Sequence, residues 1–171
     1  MLVSYSTHLA VAASFPINTI NQGVVLNNGD IAYQEKVHFT SNTSRDAGNL
    51  FDASWRNWED CVHGDGSLAS GKFYIYGYKF ENSGERNVSK MKFINSPSTT
   101  STGIINIYYY SGSSWQPVQN QDRIGFTGRW YAYEEITINF DNVKALYWKI
   151  ECKPHAQSTQ PGYTGLGEWE I

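Results

Sequence analysis

ITINFDNVKALYWKIEC, residues 136–152, reads as two strands. Ile136, Ile138 and Phe140 fall on one face of ITINF, with Thr137 and Asn139 on the other. LYWKIEC repeats the arrangement, setting Leu146, Trp148, Ile150 and Cys152 against Tyr147, Lys149 and Glu151. Successive side chains of an extended chain point to opposite faces, so a period of two predicts strands with one buried face. Between the two, FDN (140–142) reads as a turn. Further out the same reading recurs. SKMKFI (89–94) puts Met91 and Phe93 opposite Lys90 and Lys92, and KFYIYGYKF (72–80) and IINIYYY (104–110) are β-rich runs. Gly77 interrupts the first of these and predicts a bulge or a close backbone approach. NNGD (27–30), ENSGE (81–85), SPSTTSTG (96–103) and SGSS (111–114) supply turn chemistry between the runs. An early strand or two is expected over roughly 22–40. No stretch carries the period of an amphipathic helix longer than about two turns. The expectation is one all-β domain over 1–171, a sandwich or a barrel.

The totals agree. A chain of 171 residues suits one domain with a core large enough to need no staples. Thirteen Lys and Arg against 16 Asp and Glu leave a net charge of −3, without the basic face that nucleic acid or an anionic membrane demands. No apolar run approaches the length of a membrane span. The opening MLVSYSTHLAVAASF lacks a basic n-region, and His8 interrupts its apolar part, so it reads as a mature or trimmed start rather than an intact signal peptide. Six Trp, 12 Tyr and 8 Phe beside only 17% charged residues fit a β protein with polar, loop-rich surfaces. Cys61 and Cys152 either form one disulfide or remain two buried thiols, and no CxxC supports a zinc site.

Catalytic readings find little support. Glu134 and Glu135 are adjacent, so in a strand they face opposite ways and cannot flank one glycosidic bond. There is no GxSxG elbow, no HExxH and no glycine-rich phosphate loop. Cys61 lies two residues from His63, but nothing else marks it as a nucleophile.

Four segments in order carry a resemblance from about residue 46 to the end. AGNLFDASWRN (47–57) resembles an "A-x-x-x-x-DG-(D/N)-x-x-T" loop, and INIYYYSGSSWQPV (105–118) a "y-x-i-x-x-S-x-DG-x-x-W-x-x-v" hairpin. ALYWKIECKP (145–154) resembles an "a-R-Y-v-R-i" strand, and GLGEWEI (165–171) a closing "x-x-E-i-x-V". These are features of the F5/8 type C (discoidin) domains and the related family 32 carbohydrate-binding modules. Ala53 replaces the usual glycine, Asn57 stands where threonine is common, and Lys149 stands where an arginine usually ends its strand. The resemblance implies a jelly-roll β-sandwich of the galactose-binding-like fold.

It also implies a structural calcium ion, bound by the DG loop and the glutamate of the last strand. Carried over, the side chains are Asp52, Asn57 and Glu168, with Ser54 helping through its carbonyl or hydroxyl and Leu50 and Gly167 adding carbonyls. Calcium takes six to eight oxygens from such groups. The alternative is that Asp52 caps a turn and Glu168 is exposed on an edge strand. For a sugar, an aromatic ring covers the apolar face of a pyranose and planar polar groups reach its hydroxyls. Trp55, Arg56, Trp58 and His63 follow the metal loop, and KPHAQSTQPGYTG (153–165) offers His155, Gln157, Gln160 and Tyr163. Tyr163 matches the aromatic that relatives carry before the last strand. One of Trp55 and Trp58 corresponds to a tryptophan the family buries. Trp115 and Trp148 read as packing, while Trp130, Tyr131 and Tyr133 fit either a platform or strand packing.

The function this implies is a non-catalytic carbohydrate-binding module. It would be secreted or at the cell surface, a monomer or one part of a larger glycan-active protein, with glycan as partner. Two other classes remain open: an adhesion or membrane-binding discoidin domain, and a structural accessory sandwich of a glycoside hydrolase or lyase with no ligand. The small polar residues of TSNTSRD, HGDGSLAS and SPSTTSTG argue against lipid.

Overall fold

The computed structural model describes residues 16, 23–34, 51, 62–63, 74–95, 102–126, 134–154 and 165–171. These form two antiparallel sheets. The larger orders its strands β1-β2-β4-β9-β6-β7, namely β1 (Gly23–Val25), β2 (Ile31–Gln34), β4 (Tyr74–Lys79), β9 (Tyr147–Pro154), β6 (Thr102–Tyr110) and β7 (Trp115–Pro117). The smaller runs β3 (Val62–His63), β10 (Gly165–Glu170), β5 (Arg86–Asn95), β8 (Glu135–Ala145).

The core is the period-two pattern folded onto itself. Tyr76, Ile105, Ile107, Trp148 and Ile150 from the larger sheet meet Met91, Phe93, Ile138, Leu166 and Trp169 from the smaller, all fully buried. Each large apolar side chain removed from water contributes about 1.5–3 kcal/mol, and a one-residue slip would turn the whole set to solvent, so the register is strongly held. Phe51 joins from outside the sheets, its ring 4.9 Å from that of Tyr78 and 5.3 Å from that of Trp169.

FDN does not end a strand. Residues 140–142 lie inside β8, and the chain reverses at Leu146 instead. Val88 pairs with Val143 but Lys90 pairs with Asn139, so three residues of β8 oppose one of β5. The turn chemistry is expressed as a bulge, because pairing continues on both sides of it. Asp141 then donates its N–H to Gln119 (3.0 Å) and accepts from Asn120 Nδ2 (2.9 Å). Gly77 makes no bulge either. It pairs in regular register with Tyr33 on one side and Lys149 on the other, two long side chains on the outer face of the sheet.

That outer face carries a second layer. Lys149 Nζ lies 4.5 Å from the Tyr108 ring centroid and 5.3 Å from that of Trp115, and it donates to Glu151 at 2.6 Å. Trp115 Nε1 donates to the Pro16 carbonyl at 3.0 Å. Trp115 is therefore packing, as expected, and so is the fully buried Trp148. Cys152 is a fully buried thiol whose burial pushes its pKa up, and Cys61, the other half of the disulfide alternative, lies outside the described residues.

The turns at one end are short. Asp30, only 3% exposed, organises three of their strands and loops. It accepts from the Tyr78 hydroxyl (2.7 Å), Asn28 Nδ2 (3.0 Å) and the Glu81 N–H (2.9 Å). Gly29 adopts φ +83°, and a Cβ there would fall on the Asn82 amide, which itself donates to the Asn28 carbonyl at 2.9 Å.

Candidate functional site

The opposite end gathers the strand ends on both sides of 64–73, 96–101, 127–133 and 155–164, and Gln34, which leads into 35–61. Gln34, Tyr74, Asn95, Thr102, Phe126, Glu134, Pro154 and Gly165 bound the segments between described strands. The ladders set them side by side: Tyr74 pairs with Cys152, Thr102 with Pro154, Gly165 with His63 and Leu166 with Asn95. Thr102 donates its N–H to Asn95 Oδ1 (3.1 Å), and Asn95 donates its own to the Glu134 carbonyl (2.9 Å). The first of these bonds joins the two sheets at this end, and the second extends the β5–β8 pairing. His63, and the strand ends that lead to His155 and Tyr163, thus share one end of the sandwich.

Two described side chains line that end which sequence reasoning missed. Arg123 donates through Nε to the Gly125 carbonyl (2.9 Å) and through Nη2 to Glu134 Oε1 (2.8 Å). Glu134 is mostly buried and Arg123 39% exposed. No motif announces the pair, since it depends on a register that brings residue 123 beside residue 134. Glu135, one residue on, instead bonds Lys92 at 3.1 Å on the outer face of the smaller sheet. The two glutamates diverge, as their adjacency requires.

The second feature is a pocket of about 320 Å³ in the seam between the β1–β2 turn and β10. Phe51, Tyr78 and Trp169 wall it, and Glu168 reaches it from β10. Glu168 is 5% exposed, so the exposed-edge alternative is wrong: its strand pairs with both β3 and β5 nearby, and the carboxylate is enclosed. Leu166 pairs with Asn95 and Glu168 with Ile94, leaving Gly167 as the extra residue of a bulge. A bulged residue is released from the ladder, which leaves its carbonyl for another partner. Phe51 precedes Asp52, so the chain reaches this pocket just where the calcium loop was expected to begin. Among the described residues no three His, Cys, Asp or Glu side chains form a metal cluster.

Of the residues expected from sequence, Glu168 and Gly167 are placed as above and His63 stands in β3. Trp55, Arg56, Trp58, His155, Gln160 and Tyr163 lie outside the described residues, as do Leu50, Asp52, Ser54 and Asn57.

Solved structures share this two-sheet antiparallel sandwich. A structure of the Streptococcus pneumoniae β-galactosidase BgaA matches with TM-score 0.63 and 14% identity, over 82% of this chain and 89% of that one. A family 32 module of Clostridium perfringens, in complex with GalNAc-β-1,3-galactose, matches with TM-score 0.60 and 11% identity, over 86% and 97%. The family 32 module of NanJ from the same organism, in complex with galactose, matches with TM-score 0.55 and 17% identity, over 82% and 90%. No family model and no curated protein match the sequence. The chain has the discoidin-like β-sandwich fold of the family 32 carbohydrate-binding modules.

Proposed function

We propose that this domain is a non-catalytic carbohydrate-binding module that attaches a larger secreted or cell-surface glycan-active protein to glycan through its loop end. The observation that carries the reading is the gathering of the strand ends that bound 64–73, 96–101, 127–133 and 155–164 at one end, on a fold whose structural neighbours include modules solved with galactose and with GalNAc-β-1,3-galactose. The sequence supplies the aromatic and amide residues a pyranose needs: His155, Gln160 and Tyr163 in one of these connections, and Trp55, Arg56 and Trp58 in the segment that follows Gln34. Single shallow sugar sites bind at about 1 mM to 1 μM, roughly −4 to −8 kcal/mol. A glycan array should give selective binding without turnover. Release of reducing ends from any polysaccharide by the isolated chain would contradict it.

The calcium reading belongs to the seam pocket. The donor chemistry fits a hard cation: an enclosed carboxylate at Glu168, the backbone carbonyl of Gly167 at the bulge, and, in the sequence around Phe51, Leu50, Asp52, Ser54 and Asn57. When bound, the ion supplies positive charge that holds the 50–57 loop to β10. A ligand of the folded state alone stabilises it by about 2.7 kcal/mol at a hundredfold excess over its dissociation constant. EDTA should therefore lower the melting temperature, and Asp52→Ala should abolish that sensitivity. A melting curve indifferent to EDTA, with no bound metal on analysis, would remove calcium from the account.

A further inference from the structure

We propose that Arg123, held in place by Glu134, contacts the bound sugar and selects neutral sugars that present two adjacent hydroxyls; the inference rests on the glycan-binding reading of the loop end. The guanidinium is fixed from both sides. Gly125 bridges Ile104, Ile105 donates its N–H to Ile124 (2.6 Å), and Phe126 donates to Gly103 (2.9 Å), so the backbone beneath Arg123 is locked to β6. A Cβ at position 125 would fall on the Gly103 carbonyl, so no other residue permits this approach. On the other side, the Glu134 carbonyl accepts from the end of β5.

An arginine has five N–H donors in a planar fork. Nε and Nη2 serve Gly125 and Glu134, and among the described residues the guanidinium makes no other hydrogen bond. Its side chain remains 39% exposed at the end from which the loops leave. Glu134 is mostly buried while Arg123 stays partly open, so the pair is anchored on the protein side and faces outward through the guanidinium. The floor below is also polar. Asn95 is fully buried, its Oδ1 taken by Thr102 and its Nδ2 without a partner, so this end is not closed over as apolar core.

The chemistry of the pair sets the ligand class. Glu134 balances the charge of Arg123, so the fork offers its remaining donors beside a bound carboxylate. Neighbouring hydroxyls of a pyranose each accept, and a planar arginine fork can meet two of them at once. A carboxylate or sulfate group on the sugar would instead face Glu134 and be repelled.

The test is titration calorimetry of wild type, Arg123→Ala, Arg123→Lys and Glu134→Gln against galactose, GalNAc-β-1,3-galactose and galacturonic acid, with melting temperatures alongside. Wild type should bind at least one neutral sugar. Arg123→Ala should weaken that binding roughly tenfold or more, and Arg123→Lys should fail to restore it because the fork is lost. Glu134→Gln, which leaves the guanidinium uncompensated, should shift preference several-fold toward galacturonic acid. Melting temperatures should stay nearly constant, and Arg123→Lys and Glu134→Gln carry the test should the alanine variant not fold. If wild type binds a neutral sugar and the Arg123 variants bind it equally well, this inference fails while the glycan reading stands. If wild type binds none of these sugars nor any glycan of a broad array, the glycan reading fails and takes this inference with it.

Discussion

At the end of the sandwich where β1 turns into β2, a buried carboxylate collects three donors from three chain segments, and glycines with φ of +83°, +64° and +92° close the turns. At the other end the strands finish in an exposed arginine, a tethered glutamate and a buried asparagine with a free amide donor. The first arrangement satisfies the polar groups of its turns internally, and what it opens is the seam pocket beside β10 rather than a face for sugar. The second leaves donors in reserve. Stability and recognition are thus assigned to opposite ends of one core, and mutations should separate them.

The largest effect should come from Asp30→Ala. It strands the Tyr78 hydroxyl, 2.7 Å from its acceptor, inside the fold, and bonds to a charged acceptor contribute about 1.5–3 kcal/mol each. A net loss of about 3 kcal/mol is expected, or about 6–12 °C in melting temperature for a domain of this size. Sugar affinity measured below the melting point should not change. If it falls, the two ends are coupled and the division is wrong.

Alkali should reach the same end next. Burial pushes Tyr78 up to about 12 despite the Asn28 hydrogen bond that pulls the other way, and burial likewise pushes Tyr33 to about 12. The unfolded chain ionises tyrosine near 10, so the neutral buried rings contribute stability that is complete below about pH 10 and is lost as pH rises toward 12. A melting series over that window should show a steep decline, shallower for Tyr78→Phe. A flat profile would contradict the burial of both hydroxyls.

Two glycines sharpen the picture. Gly29→Ala meets both a left-handed backbone and the Asn82 amide, whereas Gly112→Ala meets only the backbone, with open space around it. The left-handed penalty alone is about 1–2 kcal/mol, so denaturant titration should show Gly29→Ala costing more than Gly112→Ala. Equal costs would mean that the Asn82 side chain yields freely. The smallest stability effect belongs to the loop end, where Arg123→Lys, which keeps a cation beside the mostly buried Glu134, should cost less than about 1 kcal/mol.

Much of the core was legible because alternation is a local property. Ile136, Ile138, Phe140, Trp148 and Ile150 point inward as their spacing requires. FDN misled because the propensity of three residues to turn was outweighed by pairing on both flanks, and it became a bulge. Of the two expectations for Gly77, the bulge is absent, because the residue pairs in regular register between Tyr33 and Lys149. Glu168 could be placed in the last strand but not judged buried, since enclosure depends on Phe51 and the seam arriving from distant sequence. The Arg123–Glu134 pair was invisible for the same reason: nothing local to either residue specifies the other.

The division of labour is tested most directly by mapping amide chemical shifts while galactose or GalNAc-β-1,3-galactose is titrated into the isotope-labelled domain. Shifts should concentrate at Asn95, Thr102, Arg123, Glu134 and Gly165 and leave Gly29, Gly84 and Gly112 unmoved. Saturable shifts centred on the short turns, or on the outer face around Tyr108 and Trp115, would contradict it.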